Sequence, residues 1–145
     1  MAVTHLVYPQ GMKNILNGTI DLAADTIKVA LMTASFSYSA TDENFVNTYE
    51  CGDADYTAGG VEIAISGTEI TVSGNVITVD TSDAATQFTA AGSITASYAV
   101  IYDSTPATPK LISCVNFGAS ESSVAGEFKI TWNASGLFTT EVNPV

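Results

Sequence analysis

The 145-residue chain has no arginine, one histidine, one tryptophan and two cysteines, and only 13% of its residues are charged. Its cations are Lys13, Lys28, Lys110 and Lys129, set against 15 acids for a formal net charge of -11. With no guanidinium and so few ammonium groups, nothing here can displace the counterion atmosphere of a nucleic acid, and the same imbalance argues against anionic membrane surfaces. The lone His5 excludes a multi-histidine zinc centre and gives a histidine-based triad no support. Cys51 and Cys114 are too few for a disulfide framework and match no metal spacing, so free thiols in a reducing compartment are expected. No apolar run reaches the ~18 residues of a membrane span. Residues 1–8 carry neither a basic start nor a small-residue cleavage pattern, so no secretory signal is expected there.

What is present is strand-forming chemistry. Hydrophobic residues make up 46% of the chain, with 19 threonines, 14 serines, six tyrosines and six phenylalanines. The length suits one domain, so residues 1–145 are read as a single unit. Period-two alternation places Ile27, Val29 and Leu31 on one face of a strand and Lys28, Ala30 and Met32 on the other. Residues 93–103 put Ile94, Ala96, Tyr98, Val100 and Tyr102 on one side, and Thr95, Ser97, Ala99 and Ile101 on the other. That strand is expected to be central and covered on both faces. Phe128, Ile130 and Trp132 alternate with polar residues and are expected to face inward. Shorter strands are expected over 61–65, 69–72, 76–79, 111–117 and 137–140, punctuated by Ser66-Gly67, Ser73-Gly74-Asn75 and the prolines at 106 and 109. The pattern predicts an all-β fold, an antiparallel β-sandwich of jelly-roll-like type.

Two segments depart from it. Residues 1–18 read as an N-terminal arm with a short helix over 9–17, where Met12, Ile15 and Leu16 share a face, Pro9 suits the first turn and Gly18 the stop. Residues 35–60 form a long polar loop, with a helical turn expected over 41–46.

Chemical constellations are sparse. Glu50, Asp53 and Asp55 could offer hard oxygen ligands to calcium, but the spacing is not an EF-hand and a solvated acidic loop is the favoured reading. Glu62, Glu69 and Asp80 are candidate acids for glycoside hydrolysis, yet no motif singles out a pair. Cys114 reads as a small core hydrophobe. No catalytic residue, metal ligand or cofactor is expected, and the chain is read as non-enzymatic.

Five motifs nevertheless form a familiar set: Asp25-Thr26-Ile27-Lys28-Val29-Ala30-Leu31, Tyr56-Thr57-Ala58-Gly59-Gly60, Tyr98-Ala99-Val100-Ile101-Tyr102, Leu111-Ile112 leading to Phe117-Gly118, and Gly126-Glu127-Phe128-Lys129-Ile130-Thr131-Trp132 with Gly136-Leu137-Phe138. In this order, after a short helix, they resemble a family of small virion proteins of tailed bacteriophages. The resemblance runs from about residue 8 to 138. It implies a capsid decoration or cement protein made in the host bacterial cytoplasm and carried on the outer capsid surface. The implied partners are the major capsid protein and further copies of the chain on the particle, with no nucleic acid and no membrane. The competing reading is a tail or fibre module that binds a host-surface glycan. An acidic, hydroxyl-rich surface suits an outer position better than one against packed DNA.

Contact residues are expected where apolar side chains sit in polar surroundings outside the sandwich. Those are Leu6, Val7 and Tyr8 in the arm, and Phe36, Tyr38, Phe45, Val46 and Tyr49 in the loop. The bland alternative is that they cap the protein's own core. Far-UV circular dichroism of the isolated protein should show dominant strand and little helix. A third or more helix would overturn the sandwich reading.

Overall fold

Segments that alternate at period two become antiparallel sheet in the computed structural model, which describes residues 2–88, 92–124 and 126–144. The strands are β1 (Thr4–Val7), β2 (Ile27–Met32), β3 (Val61–Glu62), β4 (Ile70–Ser73), β5 (Val76–Val79), β6 (Ala85–Phe88), β7 (Thr95–Asp103), β8 (Lys110–Ser122), β9 (Phe128–Thr131) and β10 (Phe138–Glu141). Helix α1 spans Pro9–Leu16. A five-stranded sheet runs β1-β8-β7-β2-β3, a three-stranded sheet runs β10-β5-β4, and β6 pairs with β9. The fold is all-β and sandwich-like. Sheets of five, three and two strands differ from the two packed sheets of a jelly roll.

The five-stranded sheet has two buried faces. Its front face contributes Val29, Leu31, Ala99, Ile101, Ile112 and Val115 to a core shared with Val79, Phe88, Phe128, Ile130, Leu137 and Phe138 of the smaller sheets. Its back face contributes Ala30, Met32, Val100, Tyr102, Leu111 and Cys114 to a second cluster, joined by Tyr8. Strict alternation along β7 fails at one point. The pairing with β8 shifts register between Ala96 and Tyr98, and this irregularity changes which face each residue meets. Ile94 and Ala96 therefore pack in front with Ala99 and Ile101, while Tyr98, Val100 and Tyr102 pack behind.

Other expectations need correction. Residues 4–7 are not a loose arm but the edge strand β1, paired with β8 through Thr4–Asn116 to Val7–Ser113. The helical turn expected over 41–46 is replaced by extended backbone, because Phe45 N donates to Pro109 O at 2.9 Å; a 3-10 turn forms later, at Asn47–Tyr49. Only Val61–Glu62 of the segment 61–65 pairs as strand, although Ile63 and Ile65 still fill the front core. Trp132 lies just past β9, half-buried against that core, with its indole Nε1 donating to Thr86 Oγ1 at 2.9 Å.

Two close approaches require glycine. Helix α1 crosses β8 at Gly11, where a Cβ would collide with the Leu111 carbonyl. Gly60 has φ +73°, and a Cβ there would run into the Val29 carbonyl of β2. Gly60→Ala should therefore cost well beyond the ~1–2 kcal/mol of left-handed strain alone. Gly74→Ala is the control: its φ is 59° and nothing lies within 4 Å of the added carbon, so strain alone remains. Urea midpoints of the two variants should separate clearly, and equal midpoints would show that β2 and the 59–60 turn are not packed as described.

Candidate functional site

The expected contact residues divide sharply once placed in the fold. Tyr8 is fully buried, and Leu6 and Val7 are half-buried in β1. Tyr38 leans on Tyr8 with ring centroids 4.7 Å apart, and its hydroxyl donates to Val7 O at 3.0 Å. Phe36 meets Tyr98 edge-on at 5.2 Å. Phe45 stacks on Tyr102 at 3.9 Å with the rings 7° from parallel. Tyr8, Phe36, Tyr38 and Phe45 are thus the cover of the sheet's back face and not free surface. Their aromatic contacts add to the apolar burial itself. Val46 and Tyr49 alone among the eight stay exposed, at 59% and 44%.

Those two sit on a segment that is held at both ends. Glu43 O accepts from Leu111 N at 2.9 Å, and Asn44 bridges to Lys110. Lys110 Nζ lies 3.2 Å from Glu43 Oε1 and 2.8 Å from Asn44 Oδ1. Asn14 of α1 donates to the same Glu43 oxygen, and these bonds hold the carboxyl below its usual range. Toward the other end, Thr33 N donates to Tyr49 O and Cys51 N to Leu31 O, each at 2.9 Å. Glu50 then anchors the following turn. Its Oε1 accepts from the Tyr56 hydroxyl at 2.7 Å and from Gly59 N at 2.5 Å. The Tyr56 oxygen also accepts from Leu31 N at 3.0 Å, and the Tyr102 hydroxyl donates to Gly59 O at 2.7 Å.

The chemical candidates are taken up by similar internal bonds. Glu50 is occupied as described, and Asp53 Oδ2 accepts from Thr95 N at 2.9 Å. Among the described residues no three His, Cys, Asp or Glu side chains are placed to hold a metal ion. Glu69 closes a capping box with Ser66, and those bonds hold its carboxyl below the usual range. It lines a shallow depression of about 610 Å³ together with Asp80, while Glu62 lies elsewhere on β3. Cys51 and Cys114 are free and buried in different clusters, front and back. Burial pushes both thiols up to about 12, which leaves little thiolate at neutral pH.

An open groove of about 750 Å³ runs on the front side beside β9, with His5 and Trp132 in its lining. Sequence reading gave no sign of it, because it depends on how far β9 stands from the long sheet. His5 Nε2 lies 3.0 Å from Ser113 Oγ, and desolvation holds its pKa below the usual histidine value.

Comparison with family models, with curated proteins and with solved structures finds no match to the chain. Among the described residues, no helix is long and apolar enough to cross a membrane.

Two buried polar atoms among the described residues lack a partner: Tyr8 Oη and Asp103 Oδ2. Asp103 ends β7 with no exposed surface, and its Oδ1 accepts from Thr105 N at 2.8 Å. Desolvation raises its pKa, and the neighbouring Asp25 carboxylate raises it further. A proton on Oδ2 would satisfy the orphan oxygen by donating to Asp25. Asp103 therefore takes up its proton at a higher pH in the folded protein than in the unfolded chain, where an aspartate titrates near pH 4. Where the native state binds more protons, stability falls as pH rises, so this group's contribution is full below about pH 4 and lost as pH climbs through the folded-state value. Asp103→Asn should remove that loss, since an amide can donate to Asp25 at every pH. Urea unfolding should show the variant gaining about 1–3 kcal/mol over wild type at pH 7, the scale of an unsatisfied buried polar group, and little or nothing at pH 4. A constant difference at both pH values would exclude the shared proton.

Proposed function

We propose that the protein is a non-enzymatic structural component of a tailed-phage virion. In this reading it decorates or cements the outer face of an icosahedral capsid and bridges major capsid protein subunits. One observation carries the proposal: three of the five motifs on which the resemblance rests supply residues that help fasten the 33–60 segment to the sheet. Leu31, Tyr56, Gly59, Gly60 and Tyr102 all belong to those motifs, and all take part in the Glu50-centred bonds or the Gly60 approach to β2. Together with Glu50 these residues hold a platform that carries Val46 and Tyr49 outward.

Catalysis finds less support in the same geometry. A glycosidase needs one carboxyl kept protonated beside another kept ionised, and Glu69 is held ionised by its cap. The glycan-module reading needs exposed aromatic faces, whereas Phe117, Phe128 and Phe138 are buried and Tyr98 and Trp132 half-buried. A net charge of -11 with few cations keeps many copies soluble before assembly. On a repeating shell each copy needs only modest affinity, because neighbouring contacts multiply it.

Purified capsids stripped of bound accessory proteins should retain the wild-type chain. The Val46→Ser, Tyr49→Ser double variant should keep its unfolding midpoint and lose at least ~10-fold in retention, as expected for truncating exposed contact anchors. Phe45→Ser is unsuitable for this purpose. It removes the Tyr102 stack and should destabilise the fold by about 2–4 kcal/mol. Wild-type occupancy by the double variant would exclude this loop as the docking surface. Binding of the wild-type chain to isolated tails or host glycans, and not to capsids, would overturn the decoration reading.

A further inference from the structure

The groove beside β9 has a geometry that distinguishes it from a simple surface depression. Its lining takes every residue from Glu127 to Asn133, whereas His5 of β1 and Val3 just before it, and Val115 and Phe117 of β8, enter at alternate positions, with the end of β8 adding Glu121 and Ser122. Residues spaced by two present one face of a sheet, while a consecutive run presents the edge of a strand. The floor is therefore the front face of β1 and β8, and one wall is the edge of β9.

That edge has unused hydrogen-bonding capacity. β9 pairs with β6 through Phe88–Phe128, Gln87–Lys129, Thr86–Ile130 and Ala85–Thr131, and Trp132 N donates to Ala84 O. In an antiparallel pair, alternate residues direct both N–H and C=O at the partner. Trp132 fixes the phase, so Ile130 and Phe128 point toward β6 while Lys129 and Thr131 point away. Among the described residues, no backbone bond is formed by Lys129 N or Thr131 N on that outer side. Two open backbone positions thus face a trough with an apolar floor.

Charge selects what can lie there. The lining acids are Glu121 and Glu127, the lining cation is Lys129, and His5 is held toward its neutral form. A second copy of this chain would bring another net charge of -11 into the same field. A cationic segment is attracted by both the local acids and the whole-molecule potential.

We propose that this groove is a strand-addition site for an extended segment of a partner protein, with apolar side chains alternating with lysine or arginine. The segment pairs with Lys129 and Thr131 along β9. Its apolar side chains settle on Val115 and Phe117, and its cationic ones face the solvent side near Glu121 and Glu127. Main-chain bonds supply affinity and the alternating pockets supply specificity. The site shares no residue with the exposed surface at Val46 and Tyr49, and it does not depend on the capsid reading.

The probe is a capped seven-residue peptide of alternating lysine and valine, titrated into the wild-type protein and followed by fluorescence of Trp132, the sole tryptophan and part of the groove lining. Amide shifts in NMR spectra give the location. Saturable binding is expected, with the largest shifts at Lys129 and Thr131. An alternating glutamate–valine peptide should bind at least tenfold more weakly, and so should a lysine–valine peptide N-methylated on alternate nitrogens in the phase that faces β9. Thr131→Pro should weaken binding by a similar factor, because it removes an outward N–H that β6 does not use. If that variant fails to fold, the N-methylated peptide tests the same bond on the wild-type chain. No saturable binding, equal binding of the acidic peptide, indifference to N-methylation, shifts centred on Val46 and Tyr49, or self-association of the free protein through β9 would each overturn the proposal.

Discussion

A central pair of strands with no wet face governs this structure. β2 and β7 bury side chains in front and behind, so the long sheet needs cover on both sides. The smaller sheets provide only the front cover. The back cover has to come from irregular chain, and an irregular segment can shield apolar surface only if its own backbone groups find partners. This requirement accounts for the hydrogen bonds that tie residues 33–60 to Leu31, Pro109 and Leu111, and for the carboxylate of Glu50 gathering Tyr56 and Gly59. The loop is long because it spans a sheet face, and rigid because it replaces a sheet.

The same constraint explains the scarcity of free chemistry. In a chain with 13% charged residues, most polar closure must come from hydroxyls and from a few carboxylates placed inward. Ser97 with Ser120, Thr95 with Ser122, and Thr81 with Ala64 O close gaps that charged groups close elsewhere. Asp103 is the exception, a carboxyl with one oxygen unpartnered unless it carries a proton. Its place at the end of β7, beside Asp25 just before β2, puts that protonation at the seam between the two strands on which the sheet is built.

Much of the fold is legible in the sequence, and the failures have identifiable physical causes. Alternation located β2, β5 and β7 to within two residues because their apolar periodicity is unbroken over most of their length. It misassigned Ile94 and Ala96 because the register irregularity before Tyr98 changes the face along β7, while the glycine that marks it, Gly118 with φ 82°, sits on the partner strand β8. β1 was missed because four residues carry too little periodicity, and its pairing with β8 lies more than a hundred residues away. The aromatic residues of the loop show the deeper ambiguity. Phe36, Tyr38 and Phe45 in polar surroundings fit both a docking patch and a lid. Ala30, Met32, Val100 and Tyr102 already implied a second face in need of a lid, and that was the signal that could decide between them. The groove left no such trace, since an open strand edge is a property of what does not pair.

Once the lid is assigned, two contact-competent surfaces remain, and they share no residue. Val46 and Tyr49 are exposed on a segment anchored through Glu43, Lys110 and Glu50. The open edge of β9 lies in front, next to the floor formed by Val115 and Phe117. Both adjoin the same long sheet, the first through bonds to Leu31 and Leu111 and the second through Val115 and Phe117 of β8. On the decoration reading proposed above, neither surface needs high affinity, because contacts repeated across neighbouring copies would supply avidity. Strong acidity complements that arrangement. It discourages copies from pairing through their open β9 edges in solution, so that the edge remains available to a cationic partner.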